Sequence, residues 1–357
     1  MVAVGDTIGV EEEFHVVNGE TGALEPAARR VLRTADAEPE LHRSMVETAS
    51  AVQTDLVALR ADLLEKRKSL IEASARHGLA IVAAGSVPGS GATASRVYPN
   101  ERYERMAQEY RQLVDEQQVA ACQVQIGVPD RDQAVRISRR IRDWLPTLLA
   151  LSVSSPYFAG QDTGYASYRT IVTSRWPTVG PPPDLETAAQ YDRVVDTLVE
   201  SGVISDAGMV YFDARPSARY PTVEVRVADS CPHIDDVILL ASLARGLVTV
   251  AAEEDDAGRP LPEAPQVLLR AATWRAARSG LGGHLVDPQT RTAVPAGVRI
   301  DALLRHVRPA LERRGEWETA LDLLGDLRSR GTSATRQRKA ASHQEVVLGL
   351  VEETGRS

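Results

Sequence analysis

GVEEEF, residues 9–14, sets three consecutive acids inside a run that reads as a β-strand, with TI before it and FHVV carrying it to about residue 17. Side chains on a strand alternate between faces, so Glu11 and Glu13 share one face while Val10, Phe14 and Val16 share the other. Neighbouring carboxylates repel, and such a pair either takes up a proton or finds a cation. Glu12 falls on the apolar side and is expected at the strand edge, not among ligands. TVEVRVAD (222–229) repeats the form, with Val223, Val225 and Val227 on one face and Thr222, Glu224 and Arg226 on the other. Acids and an arginine on strands with apolar backs predict a polar sheet face that binds something. Hard cations prefer oxygen ligands, so magnesium with phosphate is the first candidate.

Bulk properties narrow the partners. A chain of 357 residues with 43% apolar and 25% charged residues is an ordinary globular protein. A net charge of −8 without an offsetting basic block argues against nucleic acid. Arg139, Arg140 and Arg142 cluster on a predicted helix that also carries Asp132 and Asp143, which reads as a solvated helix face. Cys122 and Cys231 make neither a disulfide framework nor a metal motif, and Cys122 is expected as a buried thiol. The histidines show no zinc-site spacing. MVAVGDTIGV lacks the basic start and long apolar core of a signal peptide. The apolar run Val237–Ala252 is interrupted by Arg245 and falls short of the roughly 20 residues a membrane span needs. No membrane association and a cytoplasmic location are therefore expected.

Strands and helices do not alternate in βαβ fashion, so the class is α+β with an antiparallel sheet. A short helix is expected near 26–35, and an extended piece, SMVETASAV, carries Glu47. Thr54 or Asp55 caps a long helix through Leu56, Leu59, Leu63 and Leu70, which Gly78 stops. A short strand, LAIVAAG, precedes the loop 85–95, and a charge-rich helix (100–116) leads to the strand VAACQVQIGV. GSVPGSGAT (85–93) lacks the GKS or GKT ending of a phosphate loop and reads as a flexible connection. The chain is again helical over 132–151, loop-rich over 155–186, helical over 234–253, and linked through 254–265 to two or three further helices.

Several stretches together resemble glutamate–cysteine ligase family 2, the carboxylate–amine ligases. They are GVEEEF (9–14), Glu40 and Glu47 in ELHRSMVETAS, LPTLLALSVSSPYFAGQDTGYASYR (145–169), WPTVGPPP (176–183), DARPSARYPTVEVRVAD (213–229), WRAARSGLGGHLVDPQT (274–290) and ATRQR (334–338). The resemblance implies one ligase domain over 1–357, helical from about 264, with a glutamine synthetase-like curved antiparallel sheet flanked by helices. It also implies ATP and Mg2+ on the concave face, and small-molecule carboxylate and amine substrates. ATP would phosphorylate the carboxylate, the γ-carboxylate of glutamate being the first candidate, and an amine such as cysteine would displace phosphate.

The residues themselves suit that chemistry. Joining a carboxylate to a triphosphate brings two anions together, and metal must neutralise the charge. Glu11, Glu13, Glu40, Glu47, Glu224 and Gln123 are the candidate metal ligands; for Glu40 a surface acid is the competing reading. Gln123, Gln125 and Arg226 are the candidate nucleotide contacts, while Arg226, Arg169 and Arg215 are expected to handle phosphate and carboxylate groups. Arg226 as a mere neutraliser of Glu224 is the bland alternative.

The chain departs from the family pattern at three imidazoles. Where the family carries HVHVG and a GTHP-like turn, this sequence has QVQIG (Gln123, Gln125) and GSVP (Val87). An amide oxygen can serve magnesium but cannot shuttle a proton near neutral pH. No protein base for the incoming amine is evident, and the identity of both substrates stays open, as does a homodimer. The alternative function is a repurposed, non-catalytic paralogue that binds nucleotide or an amino acid. Guanidino-group chemistry lacks a reactive cysteine near the acid strands.

Overall fold

The computed structural model describes residues 3–91, 96–261 and 263–356. Its strands are β1 (Ile8–Asn18), β2 (Glu38–Pro39), β3 (Met45–Ala49), β4 (Leu79–Val82), β5 (Ala121–Gly127), β6 (Tyr157–Phe158), β7 (Gln161–Asp162), β8 (Ala214–Pro216), β9 (Thr222–Asp229), β10 (His284–Asp287) and β11 (Thr292–Pro295). Among the described residues, seven of them form one antiparallel sheet in the order β2–β3–β1–β5–β9–β8, with β4 pairing the far end of β1. β6–β7 and β10–β11 are separate hairpins.

Fourteen helices surround this sheet among the described residues. The first half of the chain supplies α1 (Ala28–Val31), α2 (Leu56–Ala75), α3 (Glu101–Tyr110), α4 (Gln112–Asp115), α5 (Arg131–Ile141), α6 (Leu145–Ser152) and α7 (Tyr168–Thr173). The second half supplies α8 (Ala188–Glu200), α9 (Ile234–Asp256), α10 (Gln266–Ser279), α11 (Ala296–Arg313), α12 (Trp317–Arg330), α13 (Ser333–Gln337) and α14 (His343–Thr354). The class is α+β with an antiparallel sheet, as the pattern of strands and helices in the sequence predicts.

The alternation in GVEEEF and TVEVRVAD decides which face is covered. Val10, Val124, Val223 and Val225 point to the back, where α6 and α9 bury Leu148, Leu149, Val237, Leu240 and Leu247 against them. Each such side chain contributes about 1.5–3 kcal/mol of burial, which fixes the register, because a one-residue slip would bury the acids instead. The apolar run Val237–Ala252 is therefore a core helix. Its Arg245 is buried too, bonded to Glu316 and, at 3.0 Å, to the Thr54 carbonyl. No described helix is long and apolar enough to cross a membrane. Asp55 is the cap of α2, its side chain accepting from the Ala58 amide at 2.8 Å, and Gly78 takes a left-handed φ of +68° just after that helix.

Several local expectations are corrected. Glu12 is not an edge residue: it is fully buried and grips the equally buried Arg67 of α2, accepting from Nε at 3.2 Å and Nη2 at 2.5 Å. Burying an acid is possible here because its counter-charge is buried with it. The charge-rich helix breaks at Arg111, whose φ of 52° ends α3, and the 132–151 stretch divides into α5 and α6. Arg139 pairs with Asp184 and Glu186, Arg140 with Asp255, and Arg142 is buried, so this basic cluster is internally neutralised. Residues 85–90 are packed: the Gly85 amide donates to Ser154 Oγ at 2.7 Å, and Gly85, Ser86, Val87 and Ser90 are buried. Residues 92–95 of the expected flexible loop lie outside the described residues. The loop-rich segment 155–186 contains α7, α8 follows it, and the C-terminal helices are interrupted by the β10–β11 hairpin.

Candidate active site

The front face of the sheet forms the floor of a cavity of about 980 Å³, large for a small-molecule site. Every sequence-predicted site residue lines it: Glu11, Glu13, Glu40, Glu47, Gln123, Gln125, Arg169, Arg215, Glu224 and Arg226. Strand register explains the convergence. Glu13 lies opposite Glu47, Glu11 opposite Gln123, and Gln125 opposite Glu224, so four strands put their polar stripes side by side.

One half of the floor is acidic. Glu13 accepts from Gln123 Nε2 at 3.0 Å and from the Ala121 amide at 2.8 Å. Burial, then the charge of Glu40, pushes its carboxyl up to about 7. Burial also raises Glu11, with Glu224 as the next cause, and raises Glu40. Glu47 stands well above the ordinary range through burial and then Glu40, Glu13 and Glu11. Burial is thus the first cause for all four; neighbouring carboxylates add to it at Glu11, Glu13 and Glu47, and Arg226 opposes it at each.

The other half holds the arginines. Arg226 donates to both Gln123 Oε1 and Glu224 Oε1 and lies 5.7 Å from the Tyr211 ring centroid. Burial opposes the ionisation of Glu224, but Arg226 and Arg215 outweigh it and hold that carboxyl below its usual range. Burial likewise opposes the charge on Arg226, and Glu224 more than restores it.

A bulge aims Arg226. Cys122 pairs with Ala228 and Val124 with Val225, so Arg226 and Val227 together face the single residue Gln123. Arg169 secures this irregularity: its guanidinium donates to the carbonyls of Val227 at 3.3 Å and Arg226 at 3.1 Å, and stands 3.6 Å from the buried Asp229. Asp229 in turn accepts from the Ser154 amide and from the hydroxyls of Ser155 and Ser167 at 2.7–2.9 Å. Arg215 is also spent within the protein, on Glu224 at 3.2 Å and on the carbonyls of Gly208 and Val210. Arg169 and Arg215 therefore shape the wall, and Arg226 is the better placed of the three to meet a ligand.

Sequence reasoning passed over other lining residues: Arg102, Tyr103, Tyr211, Asp213, Arg219 and Arg270. Arg219 and Arg270 are exposed at the cavity wall, and neither makes an ion pair among the described residues. Asp213 and Arg215 alternate on β8 and its approach as Glu224 and Arg226 do on β9, and that period-two pattern was the available signal. Val87 is not in the cavity; it packs with Val17, Val82 and Val346.

Whether these residues fit a cation turns on their chemistry. Among the described residues no three His, Cys, Asp or Glu side chains already stand as a closed metal cage. Magnesium does not require one, since it keeps several waters and takes one or two carboxylates plus phosphate oxygens. The all-oxygen set of Glu11, Glu13, Glu40 and Glu47, each raised first by burial, fits such a hard cation.

Known proteins place this fold. The sequence model of glutamate–cysteine ligase family 2 matches residues 7–353. A candidate glutamate–cysteine ligase 2-3 of Frankia alni is 47% identical over 348 residues, covering 97% of this chain and 41% of that protein. The chain thus spans about two fifths of that relative. A candidate glutamate–cysteine ligase 2-2 of Mycolicibacterium smegmatis is 43% identical over 349 residues, covering 97% of this chain and 88% of the relative. Two solved structures share the fold at low identity. The Francisella tularensis glutamate–cysteine ligase in complex with AMP has a TM-score of 0.70 at 10% identity, covering 99% of this chain and 88% of that one. The bifunctional glutathione synthetase of Pasteurella multocida has a TM-score of 0.68 at 15% identity, covering 98% and 52% respectively. With its acid and arginine stripes on one sheet face and a family match across nearly its whole length, this chain belongs to glutamate–cysteine ligase family 2.

Proposed function

We propose that this chain is an ATP- and Mg2+-dependent ligase that joins a carboxylate, the γ-carboxylate of glutamate in the first instance, to an amine such as cysteine through an acyl phosphate. The observation that carries this reading is the pairing, in one cavity, of four carboxylates raised above their usual range by burial with Arg226 held between Gln123 and Glu224. Activating a carboxylate needs cations around crowded phosphate oxygens and a fixed donor on the group in flight.

Glu11, Glu13, Glu40 and Glu47 would hold Mg2+, with Gln123 and Glu224 at the border of the set. Bound there, the ion supplies charge neutralisation and in-line alignment of phosphate oxygens. Arg226 stabilises charge on the transferred phosphoryl group, its direction set by Glu224, Gln123 and the bulge that Arg169 grips. Gln123 holds Glu13 and Arg226 at a fixed separation through its two amide ends. Arg219 and Arg270, exposed at the wall and without an ion pair among the described residues, suit the remaining phosphate or the α-carboxylate of a substrate.

The test is a screen of amino acids and simple amines with ATP and Mg2+, reading ADP release and product mass together. The expected result is ADP released in step with a new amide. A wild-type protein that binds ATP yet releases no ADP with any mixture would instead support the non-catalytic paralogue, which the replacement of imidazoles by Gln123 and Gln125 makes the second reading.

A further inference from the structure

The cavity contains a carboxylate that none of these roles uses. Asp213 lines the wall, is 9% exposed, and is fixed by its backbone on both sides. Its amide donates to the Gly180 carbonyl at 2.8 Å, and its own carbonyl accepts from the Arg226 amide at 2.9 Å. Standing opposite Arg226 and two residues before Arg215, its side chain shares the cavity face with theirs.

Yet the Asp213 carboxylate has no hydrogen bond and no ion pair among the described residues. Arg226 turns away to Glu224 and Gln123. Arg169 and Arg270 are the charged groups that face Asp213, and Arg169 is engaged by backbone carbonyls and Asp229. A buried acid without a partner is costly, and its position at a cavity wall marks a place for a ligand donor. The carboxylate oxygens there offer lone pairs to a hydrogen-bond donor of a ligand, while the exposed Arg270 beside them is left to an anionic group.

We infer that Asp213 receives the incoming amine as an ammonium ion and takes up its proton, an inference that rests on the ligase reading above. The step balances: R–NH3+ gives one proton to the Asp213 carboxylate and becomes R–NH2. Its freed lone pair forms the C–N bond at the acyl carbon, and the C–O bond to phosphate breaks with its electrons leaving on phosphate. The second proton lost from nitrogen goes to the departing phosphate. Burial pushes the Asp213 carboxyl up to about 6, with Arg169 and then Arg270 opposing. A base close to neutrality is efficient at working pH. This also supplies the proton acceptor that Gln123 and Gln125, as amides, cannot be.

The experiment compares two nucleophiles on the full chain with ATP, Mg2+ and the best carboxylate. One is the best protonated primary amine from the screen; the other is hydroxylamine, which is largely neutral at neutral pH and needs no base. Asp213→Asn should lower kcat with the protonated amine by about 100-fold or more, while hydroxylamine turnover stays within about threefold of wild type. Asp213→Glu, which keeps a carboxylate, should recover part of the loss, and serves equally if the Asn variant melts early. An equal loss with both nucleophiles, or no loss with the amine, overturns the assignment of Asp213. Wild-type protein that releases no ADP with either nucleophile overturns the ligase reading itself, a separate outcome.

Discussion

Removing Glu12 should unfold this protein more than it disturbs any chemistry directly. Glu12 is fully buried beside Arg67, which is 1% exposed and donates to Glu12 at 3.2 and 2.5 Å and to the carbonyls of Pro232 and Cys231 at 2.7 Å each. Glu12→Ala leaves a guanidinium without a counter-charge among Leu59, Leu63 and Cys122, all buried nearby in sequence or sheet. Breaking a buried pair from one side costs about 3–5 kcal/mol. With a urea slope of about 3 kcal/mol/M, the unfolding midpoint should fall by about 1–1.7 M. Glu12→Leu combined with Arg67→Met removes both charges and should recover much of that loss, though not all. The Pro232 and Cys231 carbonyls then lose their donor, which offsets part of the recovery. Equilibrium urea unfolding of the wild type and these two variants, followed by intrinsic fluorescence, checks the argument. A Glu12→Ala loss below about 1 kcal/mol, or a double variant no more stable than the single one, refutes the idea that the pair is a closed, desolvated unit.

Three further outcomes are expected. Arg226→Ala should lower turnover by about 10–150-fold, the equivalent of a charge-assisted hydrogen bond of about 1.5–3 kcal/mol, while the urea midpoint moves little because Arg215 still neutralises Glu224; equal losses of activity and stability would leave Arg226 a purely structural role. Gln123→Ala should abolish or greatly weaken ATP-dependent turnover, since it releases both Glu13 and Arg226, whereas Gln123→His should retain turnover; kinetics with ATP and the best substrate pair decide. The pH dependence of the metal-free protein has opposing parts. Glu13 stands at about 7 against an ordinary 4.5, so its contribution to stability is full below 4.5 and is lost as pH rises to 7. His15, lowered by burial to about 4 from 6.5, contributes fully above 6.5 and loses that contribution as pH falls to 4. Thermal melts should therefore show metal-free stability falling as pH rises from 6.5 to 7, with Mg2+ plus ATP removing the fall; a flat metal-free curve there would argue against the carboxylate crowding.

Alternation alone made much of the site legible. A period of two in GVEEEF, CQVQIG and TVEVRVAD assigns Glu11, Glu13, Gln123, Gln125, Glu224 and Arg226 to one face, because strand geometry is local and the apolar partners of those residues are adjacent in sequence. A cap at Thr54 or Asp55 and the Gly78 stop were legible for the same reason, and the structure chose Asp55. What hydrogen-bond partner each charged side chain takes was not. Glu12 is paired across 55 residues with Arg67, Arg169 across 58 with the Val227 carbonyl, and Arg245 across 71 with Glu316.

The sequence by itself thus determined the two-faced strands, the helix boundaries set by local caps, and the kind of chemistry the acids and arginines permit. Only the tertiary structure decided that Glu12 belongs to the core, that Arg169 and Arg215 brace the wall while Arg226 faces the cavity, and that the Asp213 carboxylate has no hydrogen-bond partner among the described residues. The division follows from range. Backbone geometry and capping act within a few residues, so they are written in the local pattern. Desolvation and ion pairing depend on which distant charges the sheet and α2, α7 and α9 bring within hydrogen-bond reach, and a single sequence does not fix that pairing before the chain has folded.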